Sequence, residues 1–124
     1  LYFGAATCWY FVLTALIGVL LLEAVNYIEH YGLMREKKDE GRFARVMPVH
    51  SWNSNHMLGR ILLFELSRHS DHHYSASRKY QILRHHEGAP QMPTGYPGML
   101  ILALIPPVYF AVMDRQMKKY GVLK

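Results

Sequence analysis

The sequence predicts an all-α integral membrane fold, namely the C-terminal part of a transmembrane helix bundle with a histidine-rich metal site at its cytoplasmic face. Two observations support this prediction. Residues 1–22 form an uncharged apolar stretch that is long enough to span a membrane. His69, His72 and His73 recur at the spacing that brings side chains onto one face of a helix. Metal-binding chemistry is therefore expected beside a membrane.

Length and composition narrow the class of protein. The 124 residues fit a single domain, 1–124, whose 51% hydrophobic content is concentrated near the two ends. Because the chain opens inside an apolar run without a charged leader region, we expect a piece of a longer membrane domain. The single cysteine, Cys8, excludes a disulfide framework or a cysteine-based metal site within this chain. The net charge of +5 favours anionic lipid or an acidic protein as partner, and nucleic acid is not expected.

The first predicted element is a transmembrane helix. Residues 1–22 would span about 33 Å as a helix, which exceeds the roughly 30 Å of a bilayer core. A buried helix of a soluble protein is the alternative, but such helices seldom stay uncharged for so long. The positive-inside rule places the following basic cluster in the cytoplasm. This cluster comprises Arg35, Lys37, Lys38, Arg42 and Arg45.

The helix is predicted to continue beyond its apolar part, over residues 1–31, and to stop at Gly32. A polar stripe at i, i+3 and i+7 marks its cytoplasmic end. An ionisable side chain there needs a partner or a function, which favours metal binding by the histidine. The stripe consists of Glu23, Asn26 and His30. Extension toward the lipid headgroups is an equal alternative for Glu23 and for the neighbouring Glu29.

A second helix is predicted for residues 53–73, with Asn53 or Ser54 as its N-terminal cap. One side of this helix is apolar at its start and rich in possible metal ligands at its end. That side carries Leu58, Leu62, Glu65, His69, His72 and His73. Imidazoles in this arrangement suit iron, copper, zinc or nickel, and the spacing alone does not name the metal.

The C-terminal third is predicted to hold a loop followed by an apolar segment. Residues 87–98 contain too many glycines and prolines for regular structure. Residues 99–113 are apolar but are interrupted by Pro106 and Pro107, so an interfacial or re-entrant segment is favoured over a full crossing.

The remaining histidines are assigned less specific roles. His50 and His56 flank a polar and aromatic cluster, which favours a structural role. His85 and His86 have no convincing spacing with the other histidines and are expected to be solvated.

Asp71 lies within the histidine triplet but on another side of the helix. It is a candidate to orient a ligand histidine from another segment, since such ligands usually donate their second N–H to a carboxylate. A salt bridge with Arg68 or Arg78 is equally compatible with the sequence.

Ordered motifs along the chain carry a family resemblance. They include Asn26-Tyr-Ile-Glu-His-Tyr-Gly-Leu33, His50-Ser-Trp-Asn-Ser-Asn55, Arg68-His-Ser-Asp-His-His73, Pro90-Gln91 and Gly95-Tyr96. Together these motifs resemble the integral-membrane alkane 1-monooxygenases, a branch of the membrane fatty-acid desaturase and hydroxylase superfamily. Several motifs in the same order are far more specific than a single histidine cluster.

The resemblance implies a di-iron site at the cytoplasmic face, with two non-haem iron ions held almost entirely by histidines. The ligands that it implies in this chain are His30, His69, His72 and His73. In similar enzymes the other ligands come from two earlier histidine motifs, which this sequence lacks. We therefore expect no activity from these 124 residues alone.

The resemblance also implies hydroxylation of the terminal methyl group of alkanes to 1-alkanols, with O2 and with electrons from rubredoxin and its reductase. The enzyme would lie in the bacterial inner (plasma) membrane, receive its apolar hydrocarbon substrate from the lipid, and face the cytoplasm with its active site. An aryl-methyl hydroxylase of the xylene type and a fatty-acid desaturase are alternatives. A histidine-based membrane metal transporter is a further alternative from a different class, although ionisable residues deep within the spans would then be expected.

Overall fold

The first helix, α1, covers Gly4–His30 in a computed structural model that describes residues 3–39 and 41–123. Residues 1 and 2 of the predicted helix lie outside the described part. With about 1.5 Å of rise per residue, α1 is about 40 Å long. Its length and composition would allow it to cross a membrane, with a mean hydropathy of 2.1 over its most apolar window and none of that window buried. The long apolar helix predicted at this position is therefore confirmed.

The helix ends where the sequence predicts. Gly32 has a φ of +71°, a backbone conformation that glycine adopts without strain. A Cβ atom at this position would also collide with the sulfur of Met117. Gly32 thus permits both the turn that follows α1 and the close approach of a later helix.

The connector after α1 contains a small hairpin that the sequence pattern did not reveal. Strand β1, Lys37–Asp39, pairs antiparallel with strand β2, Arg42–Phe43. Both strands are exposed. The fold is therefore mostly helical, with this hairpin as an exception to the all-α prediction, and a 3-10 turn at Pro48–His50 follows.

The prediction of one helix over residues 53–73 is wrong. The structure has two short helices, α2 at Met57–Leu62 and α3 at His69–Tyr74. Between them, Phe64 and Glu65 adopt left-handed φ values of 50° and 66°, which end a right-handed helix. The Glu65 carboxylate accepts hydrogen bonds from the Arg60 guanidinium at 2.8 to 3.1 Å, and these contacts stabilise the turn.

The predicted cap is also wrong, because Asn53 and Ser54 are buried outside any helix and their backbone groups bond to distant segments. Asn53 N–H donates to the Pro90 carbonyl at 2.8 Å, and its own carbonyl accepts from Met92 N–H at 2.8 Å. Ser54 N–H donates to the Ser67 carbonyl at 2.9 Å. These long-range hydrogen bonds replace the helical ones that a local pattern would predict.

Two helices form the C-terminal part, after a 3-10 turn at Tyr80–Ile82. Helix α4 covers Tyr96–Ala103, so the predicted loop ends earlier than residue 98. Helix α5 covers Pro106–Lys119 and begins at the proline pair. Proline suits the first turn of a helix because its missing N–H has no intrahelical partner there. The predicted segment 99–113 is thus two helices, and its position relative to the lipid stays a prediction.

The core lies where the C-terminal end of α1 meets α4, α5 and the extended segment around residue 52. Aromatic and methionine side chains dominate this core, and methionine fills irregular gaps well. Its buried members are Ile28, Trp52, Met92, Tyr96, Met99, Tyr109, Met113 and Met117. The packing fixes the end of α1, which carries the polar residues described next.

Candidate metal centre

The end of α1 is held in place by Trp52. The Trp52 backbone N–H donates to the Glu29 carbonyl at 2.8 Å, and its indole Nε1–H donates to the Tyr31 carbonyl at 2.7 Å. Carbonyl groups at the end of a helix have no intrahelical partners, so these contacts satisfy them. The position of His30 is thereby fixed relative to the core.

Three of the four histidines predicted as metal ligands come together at this point. His69 and His73, on α3, face His30, on α1, and their candidate ligand nitrogens all lie within 4.8 Å of one another. Nε2 of His69 lies 3.2 Å from Nε2 of His30. The ring centroids of His69 and His73 are 4.3 Å apart. Residues about 40 positions apart in sequence therefore form one compact imidazole group.

His72, the fourth predicted ligand, lies beside this group. Its ring centroid is 6.0 Å from that of His69 and 5.7 Å from that of His73. Its ring nitrogens fall outside the set that converges within 4.8 Å. The structure thus brings together His30, His69 and His73, and places His72 at the edge of the cluster.

The environment favours the neutral form of the imidazoles. Burial, together with the neighbouring His73, His30 and His72, lowers the pKa of His69 to about 2. Burial, followed by His30, His72 and Arg35, lowers the pKa of His73. A metal-binding histidine must be neutral, so the lowered pKa values of His69 and His73 favour the form that can bind a metal.

The donor set fits a transition metal. Glu29 Oε1 lies 3.3 Å from His69 Nδ1, a contact that favours the tautomer with the hydrogen on Nδ1 and the lone pair on Nε2. That lone pair is directed at a second imidazole nitrogen 3.2 Å away. Two imidazoles bound to one metal at about 2.1 Å hold their nitrogens roughly 3 Å apart. Imidazole ligands suit iron as well as zinc, copper and nickel.

Glu29 does not extend toward the lipid headgroups, because it is buried with 7% exposure. The Tyr96 hydroxyl donates a hydrogen bond to Glu29 Oε1 at 2.6 Å. Tyr96 belongs to the first turn of α4 and was not singled out from the sequence as a site residue. Nothing in the local pattern around Tyr96 indicates this contact, since the two residues are 67 positions apart.

The opposite face of α3 carries a second polar cluster, centred on Asp71, which is fully buried. Its carboxylate contacts His86 Nε2 at 2.8 Å, the Arg84 N–H at 2.8 Å and the Arg78 guanidinium at 3.2 Å. Burial alone would raise the pKa of Asp71, but the contacts with Arg84, His86 and Arg78 lower it overall. Asp71 is therefore an ionised anchor for α3.

This cluster settles the alternatives for Asp71 and corrects the expectation for His86. Asp71 forms salt bridges with Arg78 at 3.2 Å and with Arg84 at 4.0 Å, whereas Arg68 contacts Glu65 and the Leu83 carbonyl. His86 is half-buried and bonded to Asp71, so the expectation of a solvated residue is wrong.

The other histidines lie around the margins of the structure. His85 is exposed, with Nδ1 3.5 Å from the Asn53 amide. His56 is exposed and precedes α2. His50 accepts a hydrogen bond from Met47 N–H at 2.9 Å, in agreement with a structural role. It also lines a cavity of about 270 Å³ together with His30 and His73.

Comparison with known proteins adds a family and several relatives. The family model described as fatty acid desaturase matches residues 1–102. The chain is 52% identical to alkane 1-monooxygenase 1 of Pseudomonas aeruginosa, over 95% of the chain and 32% of that relative. It is 48% identical to the alkane 1-monooxygenase of Acinetobacter baylyi, over 92% of the chain and 28% of that relative.

A more distant relative acts on a different hydrocarbon class. The chain is 32% identical to the hydroxylase component of the xylene/toluene monooxygenase of Pseudomonas putida, over 84% of the chain and 27% of that protein. The chain thus spans about a third of the length of the curated relatives that it matches.

Proposed function

The chain belongs to the fatty acid desaturase family, and from this premise we propose that the complete protein is a membrane-bound non-haem di-iron monooxygenase. Its reaction would convert the terminal methyl group of an alkane to a primary alcohol. One O2, two electrons and two protons are consumed, and the products are one 1-alkanol and one water. The 124 residues supply one part of the site, so this activity belongs to the whole protein.

The observation that carries the proposal is the 52% identity to an alkane 1-monooxygenase over 95% of the chain. Identity falls to 32% for the xylene/toluene relative, which supports an alkane over an aryl-methyl substrate. The convergence of three imidazoles at one end of α1 supports the metal-dependent chemistry that both kinds of enzyme require.

The residues that would hold iron are His30, His69, His72 and His73. Bound iron would supply the O2 chemistry that breaks an unactivated C–H bond, which no protein side chain can do. The chain itself contributes neutral imidazoles, a buried carboxylate beside His69 and an apolar helix surface. The exposed apolar side chains of α1, such as Phe11, are suited to lipid and to a hydrocarbon arriving from the bilayer.

The membrane side and the electron donor are part of the same proposal. The basic residues that follow α1 support a cytoplasmic position for the site, in the inner (plasma) membrane of a bacterium. Electrons would come from rubredoxin, with rubredoxin reductase, and a basic surface suits a small acidic donor. The residues that would form this surface are Arg78, Lys79, Arg84, Lys118 and Lys119.

The test uses the full-length protein in membranes, supplied with rubredoxin, its reductase, NADH and O2. Octane and p-xylene are offered separately, and the products are identified by gas chromatography and mass spectrometry. We expect 1-octanol from the wild type and from His56→Ala, a histidine outside the cluster, and none from His69→Ala. Oxidation of p-xylene without octane would favour the aryl-methyl alternative, and unchanged turnover by His69→Ala would contradict the ligand assignment.

A further inference from the structure

We propose that Glu29 and Tyr96 are positioning residues that hold His69 in the tautomer and orientation needed to bind metal. This inference rests on the proposed function, because it assigns a role to two further residues of the same site. Neither residue is among the ligands that the sequence motifs indicate.

The three side chains form a continuous chain of contacts. The Tyr96 hydroxyl donates to Glu29 Oε1 at 2.6 Å, and the same oxygen lies 3.3 Å from His69 Nδ1. All three residues are buried, with exposures of 2% for Tyr96, 7% for Glu29 and 9% for His69. An ionised carboxylate only accepts hydrogen bonds, so this contact favours the His69 tautomer that carries the hydrogen on Nδ1. The Nε2 lone pair then faces His30.

The energetics explain why the arrangement needs all three residues. A buried carboxylate is costly unless polar contacts compensate for lost solvation. Here the Tyr96 hydroxyl donates a hydrogen bond to it, and His69 Nδ1 lies within ion-pair distance at 3.3 Å. Without Glu29, His69 would be free to place its hydrogen on either nitrogen and to rotate about its side-chain bonds. Outer partners of metal-bound histidines typically change metal affinity 10- to 100-fold when removed.

The chain of contacts also links three separate elements. Glu29 lies on α1, His69 on α3 and Tyr96 in the first turn of α4. Trp52 N–H, bonded to the Glu29 carbonyl, fixes the backbone from which the carboxylate extends. The orientation of His69 is therefore set by packed helices and not by its own short helix, which has six residues.

The experiment measures iron retention and an iron spectrum in the full-length protein. Wild type, Glu29→Leu, Glu29→Gln and Tyr96→Phe are loaded with ⁵⁷Fe, and the rate of iron release to a chelator is followed. We expect Glu29→Leu to release iron 10- to 100-fold faster. Glu29→Gln should show a smaller increase, because an amide oxygen still accepts from Nδ1–H. Tyr96→Phe should lie between Glu29→Gln and the wild type.

The spectroscopic readout separates positioning from a general loss of stability. Mössbauer parameters should change in Glu29→Gln, since a neutral amide makes the bound imidazole a weaker donor than a carboxylate does. Glu87→Gln, a substitution of an exposed carboxylate, should match the wild type in both measurements. If Glu29→Leu fails to fold, the Glu29→Gln spectrum still tests the inference.

The outcomes distinguish this inference from the proposed function. Iron release and spectra equal to wild type in both Glu29→Gln and Tyr96→Phe would overturn the positioning role, while the enzyme assignment would stand. A wild-type protein that binds no iron would overturn the proposed function and this inference together.

Discussion

The two faces of α3 use histidine in opposite ways. On one face, His69 and His73 turn toward His30. His69 is buried and His73 is exposed, and desolvation and the neighbouring imidazoles lower the pKa of both. On the other face, Asp71 is ionised and bonded to His86 and Arg78 from the following segment. A histidine among other imidazoles is therefore suited to bind a metal, whereas a histidine beside a buried carboxylate is suited to anchor the helix. A six-residue helix can hold His69 and His73 toward His30 because charged contacts to Asp71 hold its other face.

The largest effect is expected on the ligand face. In the full-length protein, His73→Ala should abolish iron binding and turnover together, because a ligand is removed. The loss should exceed the 10- to 100-fold typical of an outer partner. Iron is measured by mass spectrometry of the purified protein, and turnover by octane conversion. Two irons and normal turnover in His73→Ala would show that the two faces do not differ in the way described.

The largest effect on stability is expected on the anchor face. Asp71→Ala should destabilise the protein by about 3 kcal/mol, because it leaves the Arg78 and His86 side chains without their buried partner. Thermal unfolding in detergent, with the metal removed, measures the change. Asp71→Asn keeps the shape and should cost less. An unfolding temperature equal to wild type for Asp71→Ala would refute the anchoring role.

His86→Ala separates the two faces of α3, because it changes a histidine that contacts Asp71 and lies outside the imidazole group of His30, His69 and His73. It removes one hydrogen bond to a charged group, which is worth about 1.5 kcal/mol. The variant should therefore unfold at a lower temperature and still retain its iron. Loss of iron at full stability would instead place His86 on the ligand side.

A substitution of Trp52 tests whether its indole hydrogen bond stabilises the end of α1, which carries His30. Trp52→Phe removes the indole hydrogen bond to the Tyr31 carbonyl and should cost about 1 kcal/mol. Iron should remain bound, because the backbone contact with Glu29 persists. Equal unfolding curves for the two proteins would indicate that this hydrogen bond does not stabilise the end of α1.

The smallest effect concerns the turn before α3. The Arg60 hydrogen bond lowers the pKa of Glu65, despite an opposing effect of burial. The folded protein therefore holds its proton less tightly than the unfolded chain. The resulting stability is present above the unfolded pKa of about 4.3 and is lost as the pH falls through the lower folded value. We expect a difference below about 1 kcal/mol between wild type and Glu65→Gln across this range, measured by thermal unfolding. A stability difference between wild type and Glu65→Gln that stays the same across this pH range would contradict the role of the Arg60–Glu65 contact.

Local patterns predicted the parts of this fold that depend on local physics. The uncharged run predicted α1, glycine predicted its end, and the spacing of His69 and His73 predicted a shared face. The prediction of one helix over residues 53–73 failed because Asn53 bonds to distant backbone and Glu65 adopts a left-handed conformation. The partners of Asn53 lie far along the chain, whereas the turn at Glu65 is stabilised by Arg60, five residues away.

In the candidate site, too, the sequence predicted what local spacing determines and missed what long-range packing determines. The four histidines predicted as ligands are marked by their spacing and by the motifs, and three of them converge. The contact of Tyr96 with Glu29 and the Asp71–His86 contact were not predicted, because each joins residues whose proximity arises only from packing. For Glu29 the sequence left extension toward the lipid headgroups as an equal alternative, because the burial of its carboxylate depends on residues far along the chain.

The central claim is that the imidazole cluster at the end of α1 is part of a di-iron centre. The most direct test is the iron content of the purified full-length protein, combined with its ⁵⁷Fe Mössbauer spectrum. We predict two irons per chain in the wild type and their loss in His30→Ala. A protein that folds and contains no iron, or that retains both irons in His30→Ala, would contradict the claim.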